Sequence, residues 1–194
     1  MIQDYFNRLS NEDQEHSERV KEIALKIADQ ITKTYEEIKI DKEKLSTASL
    51  YLDIGKIMVN QNFLNKRGPL TTPERTEIML HAKYSSNLIL KSGLSKDIAK
   101  IAMLHHENYD GSGYPFKLNG EEIPIESRII RVSDVFDALC SKRSYKEAFD
   151  ITEALGIIEI ERVRYDQLVI KALKSVISIN TPIDTTRTLC YNKV

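Results

Sequence analysis

The sequence predicts an all-α domain, and three observations carry that expectation. Apolar residues recur at spacings of three and four through most of the chain. Only 7 glycines and 5 prolines occur in 194 residues, with no tryptophan. The periodic segments are separated by stretches that hold capping and turn residues. This combination suits a helical bundle and disfavours the many tight turns of a barrel or sandwich.

Each element follows from its own residues. Between Ser10 and Ile31, Val20, Ile23, Ala24, Ile27, Ala28 and Ile31 form one apolar stripe, and Ser10 with Asp13 supplies the start signal. Asp41 caps a second helix expected to run to about Ile54, where Gly55 provides a stop. Asn60 to Leu70 reads as a loop. Thr72-Pro73 opens a third helix, with Pro73 in the first turn where a missing N–H is harmless, and Ser92-Gly93 closes it after about Lys91. A fourth starts at Ser95 and is expected to end at His105-His106. The longest irregular stretch then follows, NYDGSGYPFKLNGEEIP, and loops of that length in compact domains are usually functional or disordered. A fifth helix runs from Ile125 to about Ser141 and a sixth from Thr152 to about Ile179. Residues 1–179 thus read as one domain, with residues 180–194 as a tail without clear period.

Composition narrows the function. Lys and Arg number 28 against 29 Asp and Glu, a net charge of −1, which argues against binding a nucleic-acid polymer or a polybasic membrane anchor. Apolar runs stay far below the roughly 20 residues a membrane span needs, so no membrane insertion is expected. Cys140 and Cys190 are too few for a disulfide framework, and a reducing, cytoplasmic location is the expectation.

Chemistry concentrates in the four histidines. His16 shares the stripe of Ile23 and Ile27, with Glu12 one turn earlier; an exposed Glu–His pair is the simple alternative to a shared cation. His81 lies in the predicted third helix, where one hydrogen bond would satisfy it. His105 and His106 close the fourth helix, where a helix C-terminus favours protonated histidine or, alternatively, two imidazoles converge on a metal. Asp53, between Leu52 and Ile54 near a predicted helix end, needs a positive neighbour: Lys56 or a cation. Asp134, with Asp137 nearby, poses the same question. Carboxylates and imidazoles without thiolates suit iron, manganese or related ions. Two or three such ions a few ångströms apart are a standard device for attacking a phosphodiester, and phosphates would then draw on Lys56, Arg143 and Lys146.

Taken together, these residues resemble the HD-GYP family of metal-dependent phosphohydrolases over roughly Glu12 to Ala148. The most specific segments are His105-His106-Glu107, Asp110-Gly111-Ser112-Gly113-Tyr114-Pro115, Gly120-Glu121-Glu122-Ile123-Pro124, and Arg128 through Asp134-Val135-Phe136-Asp137-Ala138-Leu139 to Arg143. The resemblance implies an HD-domain helical bundle, two or possibly three iron or manganese ions, and hydrolysis of cyclic di-GMP to pGpG or GMP. By position it implies His16, Asp53, His81, His105, His106 and Asp134 as metal ligands, with Glu12 added in trinuclear members. It implies Asp53 and Lys56 as the catalytic pair, and Lys56, Gly113, Tyr114, Pro115, Arg143 and Lys146 as substrate-binding residues.

One departure touches the ligand set. The family's His-Asp dyad normally stands in Leu-His-Asp-Ile-Gly-Lys, and here the run is Tyr51-Leu52-Asp53-Ile54-Gly55-Lys56. An isobutyl group donates nothing to a metal. Ser85 and Ser144 also replace a glycine and a proline that the family favours. Two expectations follow: a cyclic di-GMP phosphodiesterase with an altered, less fully occupied metal site, or a catalytically degenerate domain that binds cyclic di-GMP or a signalling protein partner.

Overall fold

The computed structural model describes residues 1–141 and 148–180. Among them the architecture is a helical bundle, as the periodicity predicts, with one isolated bridge between Asp110 and Asn119 and no strand. No described helix is long and apolar enough to cross a membrane.

A short helix α1 (Ile2–Phe6) precedes the long helix α2 (Asn11–Thr34). Ser10 caps α2 as expected, its hydroxyl accepting the Asp13 N–H at 3.1 Å. The buried side of α2 carries His16, Ser17, Val20, Ala24, Ile27, Ala28 and Ile31, so one polar turn leads into an apolar stripe. Asp41 caps α3 (Lys42–Leu50). That helix is shorter than predicted: the chain leaves it at Tyr51 and enters a 3₁₀ turn, Ile54–Met58. Gly55 therefore lies inside the turn and is no stop. Asp53 occupies the N-cap position of that turn, so the unfavourable dipole inferred for a helix end does not act on it.

The segment read as a loop contains one helical turn, α4 (Gln61–Leu64). The predicted third helix is split into α5 (Thr72–Met79), opened by a Thr71–Glu74 capping box, and α6 (His81–Lys91), which ends before Gly93 at φ 82°. At the break the His81 ring bonds the Ile78 carbonyl, tying the imidazole to the interruption. Helix α7 (Lys96–Met103) stops two residues before His105, so the histidine pair lies in the turn beyond it. The fifth predicted helix is α8 (Ile125–Cys140). The sixth is two, α9 (Ile151–Ile160) and α10 (Gln167–Asn180), interrupted at Asp166, which accepts the Leu168 N–H at 2.8 Å. Asn180 belongs to α10, and the rest of the expected tail, with Cys190, lies outside the described residues.

Helix α2 packs against α3, α8 and α10, while α6 packs against α7 and the 54–58 turn. Their shared interior is aliphatic: Ile27, Ile31, Leu45, Leu52, Ile54, Ile89, Ile129 and Ile130 are fully buried. Leu52 is thus a core residue as well as the neighbour of Asp53. The polar side chains of the site stand where α2, α8, the 54–58 turn and the start of α6 meet the turn after α7.

Candidate metal centre

Three imidazoles converge: the ligating atoms of His81, His105 and His106 all lie within 4.8 Å of one another. The Nε2 atoms of His106 and His81 are 3.1 Å apart and those of His81 and His105 3.4 Å apart. Asp53 Oδ1 stands 3.3 Å from His81 Nε2 and 4.0 Å from His105 Nε2. Ligands held at about 2.1 Å from one ion are separated by about 3.0 Å in octahedral and about 3.4 Å in tetrahedral arrangement. Most of these spacings match that range.

The fold also fixes which nitrogen faces inward. His81 Nδ1 donates to the Ile78 carbonyl at 2.7 Å and His105 Nδ1 to the Ala102 carbonyl at 2.6 Å. A carbonyl only accepts, so Nδ1 carries the proton and Nε2 turns its lone pair toward the centre. Helix ends leave carbonyls without intrahelical partners, and the His105 ring uses one at the end of α7. Burial, then the neighbouring His81, pushes His105 down to about 4. Burial, then His105 and His81, holds His106 well below the usual range. The protonated-histidine alternative at the end of α7 is therefore not what forms. Three imidazole nitrogens that converge beside a carboxylate suit a cation among them, so this donor set fits a divalent ion.

The other half of the site is a charge network. His16 Nδ1 lies 2.7 Å from Asp137 Oδ2, and its Nε2 lies 3.0 Å from Asp134 Oδ1 and 3.9 Å from Asp53 Oδ2. Burial opposes a charge on His16, but the bonds to Asp134 and Asp137 and the charges of Asp134 and Asp53 outweigh it and raise the imidazole to about 9. Arg19 grips Asp137 through Nε at 2.6 Å and Nη2 at 3.1 Å. Lys56 Nζ sits 2.8 Å from Asp53 Oδ2 and 2.7 Å from Asp13 Oδ1. Burial disfavours that ammonium, yet Asp53 and Asp13 raise its pKa above the usual lysine value. Asp53 is held far below the usual carboxylate range: burial opposes this, and Lys56, His81, His105 and His16 overcome it.

The structure thus gathers six of the seven expected ligands: His16, Asp53, His81, His105, His106 and Asp134. Glu12 is exposed at the start of α2, and among the described residues no hydrogen bond or ion pair joins it to the cluster. Tyr114 stacks on His106 with ring centres 4.7 Å apart and planes at 30°, so one ring face is already covered. Gly113 packs where a Cβ would meet Asn108 N at 2.3 Å and His106 O at 2.5 Å, which presses the loop onto the histidine turn. Pro115 follows on the exposed side. Arg143 and Lys146 lie outside the described residues.

Sequence reasoning gave Asp13 a part only in starting α2 and assigned no role in the site to Arg19, Glu107 or Arg131. Buried Glu107 accepts the N–H groups of Phe116 at 2.6 Å and Leu118 at 3.1 Å, tethering the Tyr114 loop. Arg131 bonds Asn108 Oδ1 at 2.9 Å and stands 3.7 Å from Asp134 Oδ2. One signal was available: His16 and Arg19 are one turn apart on α2, as are Asp134 and Asp137 on α8, a spacing that lets two helices pair twice.

Comparisons with known proteins bear on the family and the fold. A family model described as HD domain matches residues 1–169. The 3'3'-cGAMP-specific phosphodiesterase 3 of Vibrio cholerae is 40% identical over 144 residues, covering 74% of this chain and 30% of that protein. The cyclic di-GMP phosphodiesterase response regulator RpfG of Xanthomonas campestris is 40% identical over 160 residues, 80% of this chain and 41% of its own length. The chain thus spans well under half of either relative. Bd1817, an HDG"Y"P protein from Bdellovibrio bacteriovorus, has a similar fold, with TM-score 0.66 at 16% identity over 88% of this chain and 55% of that one.

Proposed function

The chain belongs to the HD-domain family, in its HD-GYP branch, and from that premise we propose that it is a metal-dependent phosphodiesterase acting on cyclic di-GMP. The observation that carries this reading is the convergence of His81, His105, His106 and Asp53 next to the Lys56 ammonium, with Tyr114 over His106.

Iron or manganese held by these residues supplies positive charge to the phosphoryl group and lowers the pKa of bound water. The chain's own residues do the rest. An ammonium has three N–H bonds; Asp53 and Asp13 direct two of those on Lys56, and no described residue takes the third, which donates to a substrate phosphate oxygen. Such a donor contributes most where charge develops in the transition state, because Asp53 and Asp13 hold it in place beforehand. The carbonyls of Ile78 and Ala102 keep two imidazoles in the ligating tautomer. Glu107 holds the Tyr114 loop against the centre, narrowing solvent access. Lys56, Gly113, Tyr114 and Pro115 form the substrate side on this reading, with Arg143 and Lys146 as further phosphate contacts.

Leu52 favours a second reading, in which the domain binds cyclic di-GMP or a signalling partner without turnover. Product analysis of purified, manganese-loaded protein with cyclic di-GMP separates the two. Conversion to pGpG or GMP that falls ~100-fold or more in Lys56→Ala supports the enzyme. Binding without product refutes it and leaves the effector.

A further inference from the structure

We propose that the centre holds a single divalent ion, on the side of His81, His105, His106 and Asp53, and that the chain's own charges close the His16–Asp134 side. This rests on the metal-dependent reading above and departs from the two or three ions the family resemblance implies.

The two sides differ atom by atom. On the first, three imidazole nitrogens and Asp53 Oδ1 converge, and neither His81 Nε2 nor His105 Nε2 has a hydrogen to give its neighbours. That side offers a cation four donors. On the second side every candidate donor already has a partner. Asp53 Oδ2, the oxygen that would bridge to a second ion, is 2.8 Å from the Lys56 ammonium. Asp134 places Oδ1 on His16 Nε2 at 3.0 Å and Oδ2 at 3.7 Å from the Arg131 guanidinium. His16 has its remaining nitrogen 2.7 Å from Asp137, whose two oxygens are gripped by Arg19.

Position 52 decides the balance. The dyad histidine would add an imidazole donor beside Asp53, whereas Leu52 is wholly buried in the aliphatic core and adds none. Three donors then remain, His16, Asp134 and Asp53, and each is already partnered by a group of the chain. A dication placed there would also face Lys56, Arg131 and Arg19, three fixed cations already set against Asp53, Asp134 and Asp137.

The test is a metal count. The full chain is stripped with chelator, reloaded with manganese(II), desalted and measured by mass spectrometry, with EPR to distinguish an isolated ion from a coupled pair. One ion per chain with an isolated-ion spectrum is expected. His105→Ala and His81→Ala lose it, while His16→Ala, checked for folding by circular dichroism, keeps it. Leu52→His gains a second ion. Two ions in the parent, none in the parent, or loss of the ion in folded His16→Ala overturns the proposal, as does Leu52→His that still binds one. A count of one without nucleotide turnover leaves this inference standing and removes the phosphodiesterase reading; a count of two with turnover does the reverse.

Discussion

Gly55→Ala tests how the fold brings Asp53 to the histidines. A Cβ at Gly55 would meet the His81 carbonyl oxygen at 2.1 Å, Ser85 N at 2.5 Å and Tyr84 Cβ at 2.8 Å. Two of these are backbone atoms of α6, which no rotamer change removes. Non-bonded heavy atoms sit at about 3.5 Å, so the 54–58 turn must retreat by more than about 1 Å. Overpacking of this kind costs about 1–3 kcal/mol. The retreat also breaks the buried bond from Gly55 N–H to Ser85 Oγ, 2.8 Å long, and stranding such a donor adds about 1–3 kcal/mol. A total near 3 kcal/mol or more is expected. The same movement carries Asp53 away from His81, whereas metal–ligand distances tolerate only about 0.2 Å, so manganese affinity falls at least ~10-fold. Urea denaturation of the metal-free protein and a manganese titration measure the two effects. Ser85→Ala, which removes the acceptor without a clash, should cost about 1–2 kcal/mol and spare the affinity. Gly55→Ala within about 1 kcal/mol of the parent, or with unchanged affinity, would refute the argument.

Three further outcomes follow from other contacts. Arg128→Ala strands buried Asp166, whose Oδ2 lies 2.6 Å from the guanidinium, and should lower urea stability by about 3 kcal/mol. Glu107→Ala frees the Phe116 and Leu118 amides, so their hydrogen exchange should accelerate while that of the α2 interior does not change. In the metal-free protein, stability should peak near neutrality. His16 is raised from 6.5 to about 9, so its stabilisation is complete below about 6.5 and is lost as pH rises through about 9. His105 is lowered from 6.5 to about 4, so stability falls as pH drops from about 6.5 toward about 4. A denaturation midpoint that climbs steadily from pH 6.5 to 9 would contradict this.

The bundle was legible because α2 and α8 carry strong apolar stripes and because Ser10, Asp41, Thr71 and Ser95 cap their helices through side-chain oxygens. Helix ends inside the site were not. Periodicity runs on through Tyr51 to Ile54 and across Leu80, while the chain breaks at both places. At Leu80 the His81 ring takes a backbone carbonyl; at Asp53 the turn tightens to bring Gly55 onto α6. Such interruptions depend on contacts between segments far apart in sequence, which a local period does not contain. The six gathered residues were legible from residue type and motif. Glu107 was not, because an acid beside two histidines suggests a ligand, and only the folded loop shows its oxygens turned toward Phe116 and Leu118.

The contrast between position 52 and positions 81, 105 and 106 separates stability from binding. An aliphatic side chain in a packed interior stabilises by about 2 kcal/mol, and Leu52 is fully buried there. Three imidazoles with converging nitrogens do the opposite: burial and mutual proximity disfavour a charge on His105 and His106, and the Nε2 atoms of His81 and His105 face each other at 3.4 Å. A chain shaped by stability alone would place apolar residues at all four positions. This one does so only at position 52 and keeps a cluster of three imidazoles at the other three. A bound cation would account for that cluster, and packing does not.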